Sequence, residues 1–398
     1  MIFTLEVLQA DHGDSLLLHY GSAGAPKTIV IDGGPAGIYQ ESLEPRLQQI
    51  KAQLSPNKPL ALPLVMVSHL DDDHVNGMLD LLDGIIDKDE DGMPQDFKIS
   101  NIWFNTFDDI IGNIQIPKIS GLAASASTAN LNTIDPILAN ADHDVSAVIA
   151  STGQGRQLRD NANKLALTVN SPFKENKTKK ITVVVGGVKE SVVPLKNGPQ
   201  ITVIHPNKKR LDELQKKWDE DLKTALAKGD NSIIMASISD RDKSPFNLSS
   251  IVCVVTFKGK TILLTDDARS DDILEGLKQA KLLKANGKIH FNILKMAHHG
   301  SMANLSENFL KTVTADHYAI SANGKHDNPD KDTLDALIAN VPEGSTLHFT
   351  NLNGEKGLKK KMDAAIKKAK KDNPTVTFNF RKDDELSLVL NLLDDLPF

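Results

Sequence analysis

The chain has 398 residues, of which 40% are hydrophobic and 25% charged, so it can bury a substantial core as one large α/β domain with insertions or as two domains. The net charge of −6 argues against a protein that coats nucleic acid, while leaving room for a local basic patch. The single cysteine, Cys253, excludes a disulfide within the chain and, with no signal peptide or membrane-spanning apolar run in the sequence, favours a cytoplasmic location without membrane insertion.

The first part of the chain predicts strands joined by tight turns. The segments "MIFTLEVL" and "DSLLLHYG" flank a turn at His12 and Gly13, and "PKTIVIDGG" predicts a third strand. Apolar residues at helical spacing predict a helix over 41–54, and the run "LPLVMVSH" predicts another strand that leads into a second helix. Residues 84–200, with many small residues and asparagines, are predicted to be an insertion or helical elaboration.

Strand-like runs return from residue 201 and alternate with helical segments. They read "ITVIHP", "SIVCVVTFKG", "KTILLTDDA", "FNILKMAHHGS" and "HYAISA", followed near the end by "TVTFNF" and "LSLVLNLL". Between them lies a lysine-rich helix over about 357–371, whose apolar residues share one face. This pattern predicts a solvated amphipathic helix, with a contact to a phosphate backbone as the alternative.

Acidic and imidazole side chains follow four of these strands at the point where the apolar run stops. In chain order, the groups that follow the four strands are Asp32; then His69, Asp71, Asp73 and His74; then Asp266 and Asp267; and last His298 and His299. Each motif by itself has a structural interpretation without a metal. The acidic run is typical of a solvated loop, the paired histidines are typical of a surface pair, and "TDD" is typical of a helix N-cap. Together they predict a metal site at one sheet edge, because imidazole and carboxylate suit Zn²⁺, Mn²⁺ or Fe²⁺.

In order along the chain, "GDSLLLHYG…IVIDGG", "SHLDDDHVNG", "NLSSIVCVVTFKGKTILLTDDA", "LKMAHHGS" and "ISANGKHDNP" resemble the metallo-β-lactamase fold superfamily. The resemblance covers about 5–90 and 200–335, and it is strongest to the branch that contains the hydrolase domain of ComEC-type DNA-uptake proteins. It implies a four-layer αββα sandwich over 1–398, with 84–200 as an insertion within that single domain.

The resemblance also implies a site for two divalent ions, Zn or Mn, with Mg as an alternative. One ion would be held by His69 and Asp71, and the other by Asp73, His74 and His299, with Asp267 bridging them. Asp32 is expected to orient a ligand histidine. Because adjacent side chains of an extended backbone point apart, His298 is expected to contact substrate instead.

Further roles follow from the same resemblance. Asp73, His298 and His326 are the expected catalytic residues, and the imidazolium of His326 would stabilise phosphate charge or protonate the leaving oxygen. His205 and Asn247 both compete for the position of the family's remaining metal-ligating histidine.

The chain departs from the family pattern in three ways. Asp71 replaces the middle histidine of the commoner HxHxDH motif, which makes the site richer in oxygen and favours Mn²⁺ or Mg²⁺ beside Zn²⁺. Asp266 replaces a glycine before the expected bridging Asp267, and its side chain is predicted to point towards solvent or the following helix. The membrane helices of ComEC proteins have no counterpart here.

Three functions therefore compete. The first is a metal-dependent phosphodiesterase or nuclease that acts on nucleic acid or another phosphodiester. The second is a hydrolase of small esters, phosphoesters or lactones, and the third is a regulatory module of a multi-protein system with a structural metal site. The full set of candidate ligands favours an enzyme.

Overall fold

The computed structural model describes residues 1–106, 143–173, 183–187, 191–212, 216 and 249–398, and for 143–152 the backbone alone. Asn247 lies outside these residues. No helix in the described ranges is both long enough and apolar enough to cross a lipid bilayer.

Two mixed β-sheets form the centre of the fold. The first has the strand order β17-β1-β2-β3-β5-β7-β8 and the second β16-β15-β14-β13-β12-β11-β10-β9, and β4 pairs with β6 separately. The first sheet is built from β1 (Ile2–Leu8), β2 (Ser15–Ser22), β3 (Ala25–Gly33), β5 (Val65–Met66), β7 (Asn101–Trp103), β8 (Thr168–Val169) and β17 (Ser387–Asn391), and the separate pair is β4 (Leu60–Leu62) and β6 (Phe97–Ile99). The second is built from β9 (Val192–Pro194), β10 (Gln200–His205), β11 (Val252–Phe257), β12 (Lys260–Leu264), β13 (Ile289–Lys295), β14 (Val313–Ile320), β15 (Thr346–Phe349) and β16 (Thr377–Phe380).

Helices cover the outer face of each sheet. They are α1 (Glu44–Leu54), α2 (Asp72–Glu90), α3 (His143–Lys164), α4 (Ser270–Gln279), α5 (Glu307–Thr312), α6 (Lys331–Asn340) and α7 (Leu358–Asp372). Helices α1 to α3 contribute buried side chains to a core with β1, β2 and β3, and α4 to α7 contribute to a core with the second sheet. A third core lies between the two sheets. The expected helix–sheet–sheet–helix order is therefore confirmed.

The segment 84–200 is closely joined to these layers where it is described. Residues 84–90 complete α2, while β7 and β8 extend the first sheet and β9 is the edge strand of the second. Gln154 and Asn161 of α3 donate hydrogen bonds to Asp72 and Asp83 of α2 at 2.6 and 2.7 Å. These parts of the segment therefore contribute to the main layers of the fold.

A close approach of two glycines seats α2 against β3. A Cβ atom on Gly77 of α2 would lie 2.1 Å from the carbonyl oxygen of Gly33, and one on Gly33 would lie 2.3 Å from the backbone nitrogen of Met78. Only glycine allows the two backbones to come this near. The contact brings the first turn of α2 beside the end of β3, where Asp32 lies.

Replacing Gly77 with alanine should lower the free energy of unfolding by about 2–3 kcal/mol, because backbone atoms of Gly33 would have to move. The matched control is Gly84→Ala in the same helix, where the nearest atom to a new Cβ is the Tyr39 hydroxyl at 3.6 Å. That change should be neutral or stabilise by up to about 1 kcal/mol. Urea unfolding of both variants measures the difference, and equal stabilities would contradict the close packing of α2 on β3.

Candidate metal centre

The candidate ligands meet because several parallel strands end at the same edges of the two sheets. In the second sheet Leu264 of β12, Lys295 of β13 and Ala319 of β14 lie side by side, so the loops that follow them begin together. In the first sheet β3 and β5 are also parallel neighbours. The carboxyl ends of parallel strands form the crevice in which open α/β sheets place their sites.

The loop after β5 supplies four candidate ligands over a few residues. His69 lies before α2, Asp71 is the N-cap residue of α2 in an extended conformation, and Asp73 and His74 fall in the first helical turn. The backbone N–H of His74 donates to the carbonyl of Asp71 at 2.9 Å. This turn brings the buried rings of His69 and His74 to a centroid distance of 4.0 Å.

Three buried histidines hold one ring nitrogen in a hydrogen bond and leave the other without one. The Nδ1 atoms donate to acceptors: that of His69 to Asp266 Oδ1 at 3.0 Å, that of His74 to Asp32 Oδ2 at 3.0 Å, and that of His299 to the Ser321 carbonyl at 3.1 Å. Their Nε2 atoms are buried and have no hydrogen-bond partner among the described residues. A metal-ligating histidine has this arrangement, since the bonded N–H fixes the tautomer and points the free nitrogen at the ion.

The carboxylate of Asp267 lies between two groups of these donors. Its Oδ2 is 3.7 Å from His69 Nε2 and 3.5 Å from His298 Nε2, and its Oδ1 is 3.6 Å from His74 Nε2 and 3.9 Å from His299 Nε2. Each oxygen therefore faces a different pair of imidazoles, as a bridging ligand would.

Two further carboxylates complete the groups. Asp71 Oδ2 lies 3.6 Å from His69 Nε2, and Asp73 Oδ2 lies 3.2 Å from His299 Nε2. Asp71 thus lies beside His69, and Asp73 lies beside His299. Nitrogen and oxygen donors in groups of about four suit Zn²⁺ or Mn²⁺.

The charge of the site also fits divalent cations. Burial lowers the pKa of His74, yet the carboxylates of Asp73 and Asp267 outweigh it and raise the pKa to about 10. In the same way burial lowers the pKa of His69, and the carboxylate of Asp266 raises it well above its ordinary value. A cluster that draws protons onto its imidazoles this strongly has an excess of negative charge, which divalent cations would neutralise in place of the protons.

Asp32 lies where an orienting residue is needed. Its Oδ1 accepts the backbone N–H of Ser68 at 2.7 Å, and its Oδ2 accepts Nδ1–H of His74 at 3.0 Å. Its backbone has φ 57°, a left-handed conformation that aspartate tolerates better than most residues. This bend turns the carboxylate towards His74.

The prediction that Asp266 points towards solvent or the following helix is wrong. Asp266 is buried and accepts hydrogen bonds from the Ser68 hydroxyl at 2.6 Å and from Nδ1 of His69 at 3.0 Å. The prediction assumed that neighbouring side chains alternate. Asp266 instead has φ 49°, and this left-handed turn directs the adjacent carboxylates of Asp266 and Asp267 into the same site.

The expectation that the side chains of His298 and His299 point apart also assumed an extended backbone, and that assumption is wrong. Both residues have left-handed φ values, 47° and 54°, in the short turn after β13, and the Nε2 atoms of both face Asp267. The role of His298 as a substrate contact stays a prediction. His298 Nδ1 bonds to Asn304 Oδ1 at 2.8 Å. The side chain of His298 is 29% exposed and that of His299 is 3% exposed, so His298 lies at the open side of the site.

His205 has a ligand-like arrangement away from these groups. At the end of β10 its Nδ1 donates to the Ser250 carbonyl at 2.8 Å, and its Nε2 is buried without a partner in the described part of the chain. Among the described residues, two groups of at least three candidate ligands have donor atoms that all lie within 4.8 Å of one another: His69, His74, Asp266 and Asp267, and Asp14, His74 and His299. His205 is in neither set, and Asn247 lies outside the described residues.

A buried ion pair beneath the site was not predicted from the sequence. Lys295, at the end of β13, donates to Asp14 Oδ2 at 2.7 Å, and both side chains are at most 2% exposed. The other oxygen of Asp14 lies 3.7 Å from His299 Nδ1. A lysine inside the apolar run "FNILKMA" is the signal that could have indicated this pair, since a buried lysine needs a partner.

A small cluster of basic side chains lies next to the carboxylates, and two of its members, His12 and Lys325, were also missed. Lys325 Nζ donates to His12 Nε2 at 3.1 Å, and the His12 ring is 6.1 Å from that of His326. Burial lowers the pKa of His12, and its charged neighbours include Asp73 and His299 of the site. The predicted His326 is exposed in a left-handed turn with φ 55° and so lies at this basic edge rather than among the buried donors.

Comparison with known proteins yields structural similarity alone. No protein-family model and no curated protein matches the chain. The metallo-beta-lactamase fold protein YhfI from Bacillus subtilis aligns over 98% of this chain and 99% of its own, with 11% identity and a TM-score of 0.38. A protein of Parabacteroides distasonis, provisionally described as a metal-dependent hydrolase, aligns over 94% and 98%, with 10% identity and a TM-score of 0.31. At these values the assignment of the site depends on its geometry.

Asp267→Asn should remove both ions, whereas Asp266→Asn should weaken metal binding by about 10–100-fold without abolishing it. The first change removes the charge that faces both donor groups, and the second removes an acceptor that orients His69. Elemental analysis after dialysis against limiting Zn²⁺ or Mn²⁺ measures the occupancy of each variant. Equal metal content in Asp267→Asn and the unaltered protein would contradict the bridging position.

Lys295→Met should lower the free energy of unfolding by about 3–5 kcal/mol, because it leaves the Asp14 carboxylate buried without its cation. The control is the double variant Asp14→Asn with Lys295→Met, which removes both charges and should recover a large part of the loss. Urea unfolding in the presence of a chelator measures both variants without a contribution from bound metal. A loss below about 1 kcal/mol in the single variant would show that the pair is not a buried ionic contact.

Proposed function

We propose that the protein is a metal-dependent hydrolase that cleaves phosphodiester bonds with two divalent ions, Zn or Mn. The observation that carries this proposal is the convergence of unpartnered Nε2 atoms on the two oxygens of Asp267. Bound ions of this kind supply Lewis acidity and lower the pKa of water at the site towards neutrality, which makes a hydroxide nucleophile available.

The surrounding residues hold the donors in place. Asp32 and Asp266 keep the proton on Nδ1 of His74 and His69, and the Ser321 carbonyl does the same for His299, so each Nε2 lone pair stays directed into the site. Because these acceptors are buried, water cannot replace them. The donors are therefore preorganised before any substrate arrives.

Substrate reaches this centre from its exposed side. The side chains of Asp71, His298 and Asp73 are 36%, 29% and 22% exposed, whereas His69 and His74 are fully buried. His298 is thus placed to contact a substrate oxygen. Asp73 lies on the same open side, where it can accept a proton from water.

Basic side chains beside the open side favour an anionic substrate. Lys325 makes no ion pair with a carboxylate in the described part of the chain, and it lies against His12 close to Asp73 and His299. An ammonium group there would offset the charge of a phosphate oxygen. His326, in the same turn, would protonate the leaving oxygen as it departs.

The test measures hydrolysis of bis-p-nitrophenyl phosphate by protein loaded with Mn²⁺ or Zn²⁺. In separate assays the same protein is given p-nitrophenyl phosphate, p-nitrophenyl acetate or a simple lactone for comparison. We expect the diester to be the preferred substrate, and chelator or Asp267→Asn to lower its turnover by at least about a hundredfold, since both would remove the metal. Preference for the acetate or the lactone would assign a different substrate class. Failure to hydrolyse any of them with metal bound would overturn the proposal.

A further inference from the structure

Helix α7 carries a concentration of positive charge that the chain as a whole does not share. Its sequence, LKKKMDAAIKKAKKD, contains seven lysines and two aspartates, while the chain has a net charge of −6. The apolar residues Leu358, Met362, Ala365 and Ala369 are buried against the second sheet. The packing of its apolar face therefore fixes the position of the helix, and its exposed lysines are not needed for that packing.

The lysines of α7 divide into paired and unpaired groups. Lys359 contacts Asp363 at 3.5 Å, Lys361 contacts Asp327 at 2.7 Å and Lys368 contacts Asp335 at 3.1 Å, so these three are used within the fold. The exposed lysines that form no ion pair with any described residue are Lys360, Lys367, Lys370 and Lys371. Lys370 lies towards the flank of the helix, apart from Lys360, Lys367 and Lys371. At intervals of seven and four residues these three fall on one line opposite the buried face, over about 16 Å at the rise of an α-helix.

The lysine stripe, Lys360, Lys367 and Lys371, begins in the first turn of α7, next in sequence to Lys361. Lys361 also donates to the carbonyl of Pro329 at 3.0 Å, which ties the first turn of α7 to the turn that bears His326. The loop before α7 joins the same region, because the N–H of Glu355 donates to the carbonyl of Asn323 at 2.8 Å. The start of α7 is thus held against the loop that bears His326 and Lys325 at the basic edge of the site.

We propose that the lysine stripe binds the sugar–phosphate backbone of a nucleic-acid strand whose scissile phosphodiester lies at the metal centre. The inference rests on the proposed function for the chemistry at that centre, and on charge complementarity for the stripe itself. Lysine ammonium groups along one line offer contacts to successive phosphates of a strand. Helix α7 carries no aromatic side chain on which bases could stack, so this binding is independent of sequence.

An anionic membrane is the less suitable partner. Helices that bind the membrane surface insert apolar side chains beside their lysines. On α7 the large apolar side chains Leu358 and Met362 are fully buried, and none of the large exposed hydrophobic residues of the described chain lies on this helix. The stripe therefore offers charge without an insertion surface.

The experiment compares two triple variants that remove the same charge. The first is Lys360→Gln, Lys367→Gln and Lys371→Gln, and the control is Lys281→Gln, Lys284→Gln and Lys288→Gln. The control lysines are exposed, and they precede β13 at the end opposite to the one that leads to His298 and His299. Binding of a short fluorescein-labelled oligodeoxythymidylate is measured by anisotropy in chelator, so that no hydrolysis occurs, and turnover of bis-p-nitrophenyl phosphate is measured separately with metal.

We expect the stripe variant to bind at least about tenfold more weakly at low salt, and its plot of log affinity against log salt to be shallower by about two units, or about 0.7 for each of three phosphate contacts. The control should bind like the unaltered protein, and turnover of the small diester should be unchanged in both variants. Equal weakening in the two variants would overturn the proposal, since net charge alone would then explain binding. Binding to phosphatidylserine vesicles without binding to the oligonucleotide would also overturn it.

The two proposals fail separately in this design. Hydrolysis of the small diester without oligonucleotide binding would overturn the proposed role of the lysine stripe and leave the proposed function intact. Oligonucleotide binding that depends on the stripe, without hydrolysis of any diester, would support the binding surface and overturn the proposed phosphodiesterase activity.

Discussion

The buried carboxylate of Asp267 is the constraint on which the rest of the site depends. It faces one pair of imidazoles with each oxygen, and it comes from the loop after β12 in the second sheet, whereas His69 and His74 come from the loop after β5 in the first. The donors can meet only if the two sheets pack with these edges together. The apolar core between the sheets therefore supports the metal centre as well as the fold.

Around that carboxylate, the electrostatic contribution to the stability of the fold is unfavourable. Acidic side chains are buried beside one another, and the imidazoles respond with raised pKa values because protons are the available counter-charge. The cost is reduced by fixed partners such as Ser68, whose backbone N–H donates to Asp32 and whose hydroxyl donates to Asp266, and by the buried ammonium group of Lys295 on Asp14. A site of this kind is stable as a whole when cations replace the protons, and this links metal binding to folding.

Charge is distributed by distance from the centre. Negative side chains lie at the buried donors, basic ones such as Lys325 lie at the open edge, and the lysine stripe extends the positive charge along α7. On the proposed function, the basic rim would attract an anionic substrate towards the cleft, while the carboxylates inside remain matched to cations. In this way a chain of net charge −6 could still present the surface that we propose for a nucleic-acid strand.

The sequence by itself determined the α/β class, most strands and helices, and the candidate donors, because apolar periodicity and ligand-type residues at strand ends are local signals. The directions of Asp266, His298 and His299 were decided by tertiary structure, since left-handed turns override the alternation expected of an extended chain. The partnership of Lys295 with Asp14, 281 positions apart, was also decided there. Such contacts depend on how the two sheets pack, and no local pattern in the chain encodes that packing.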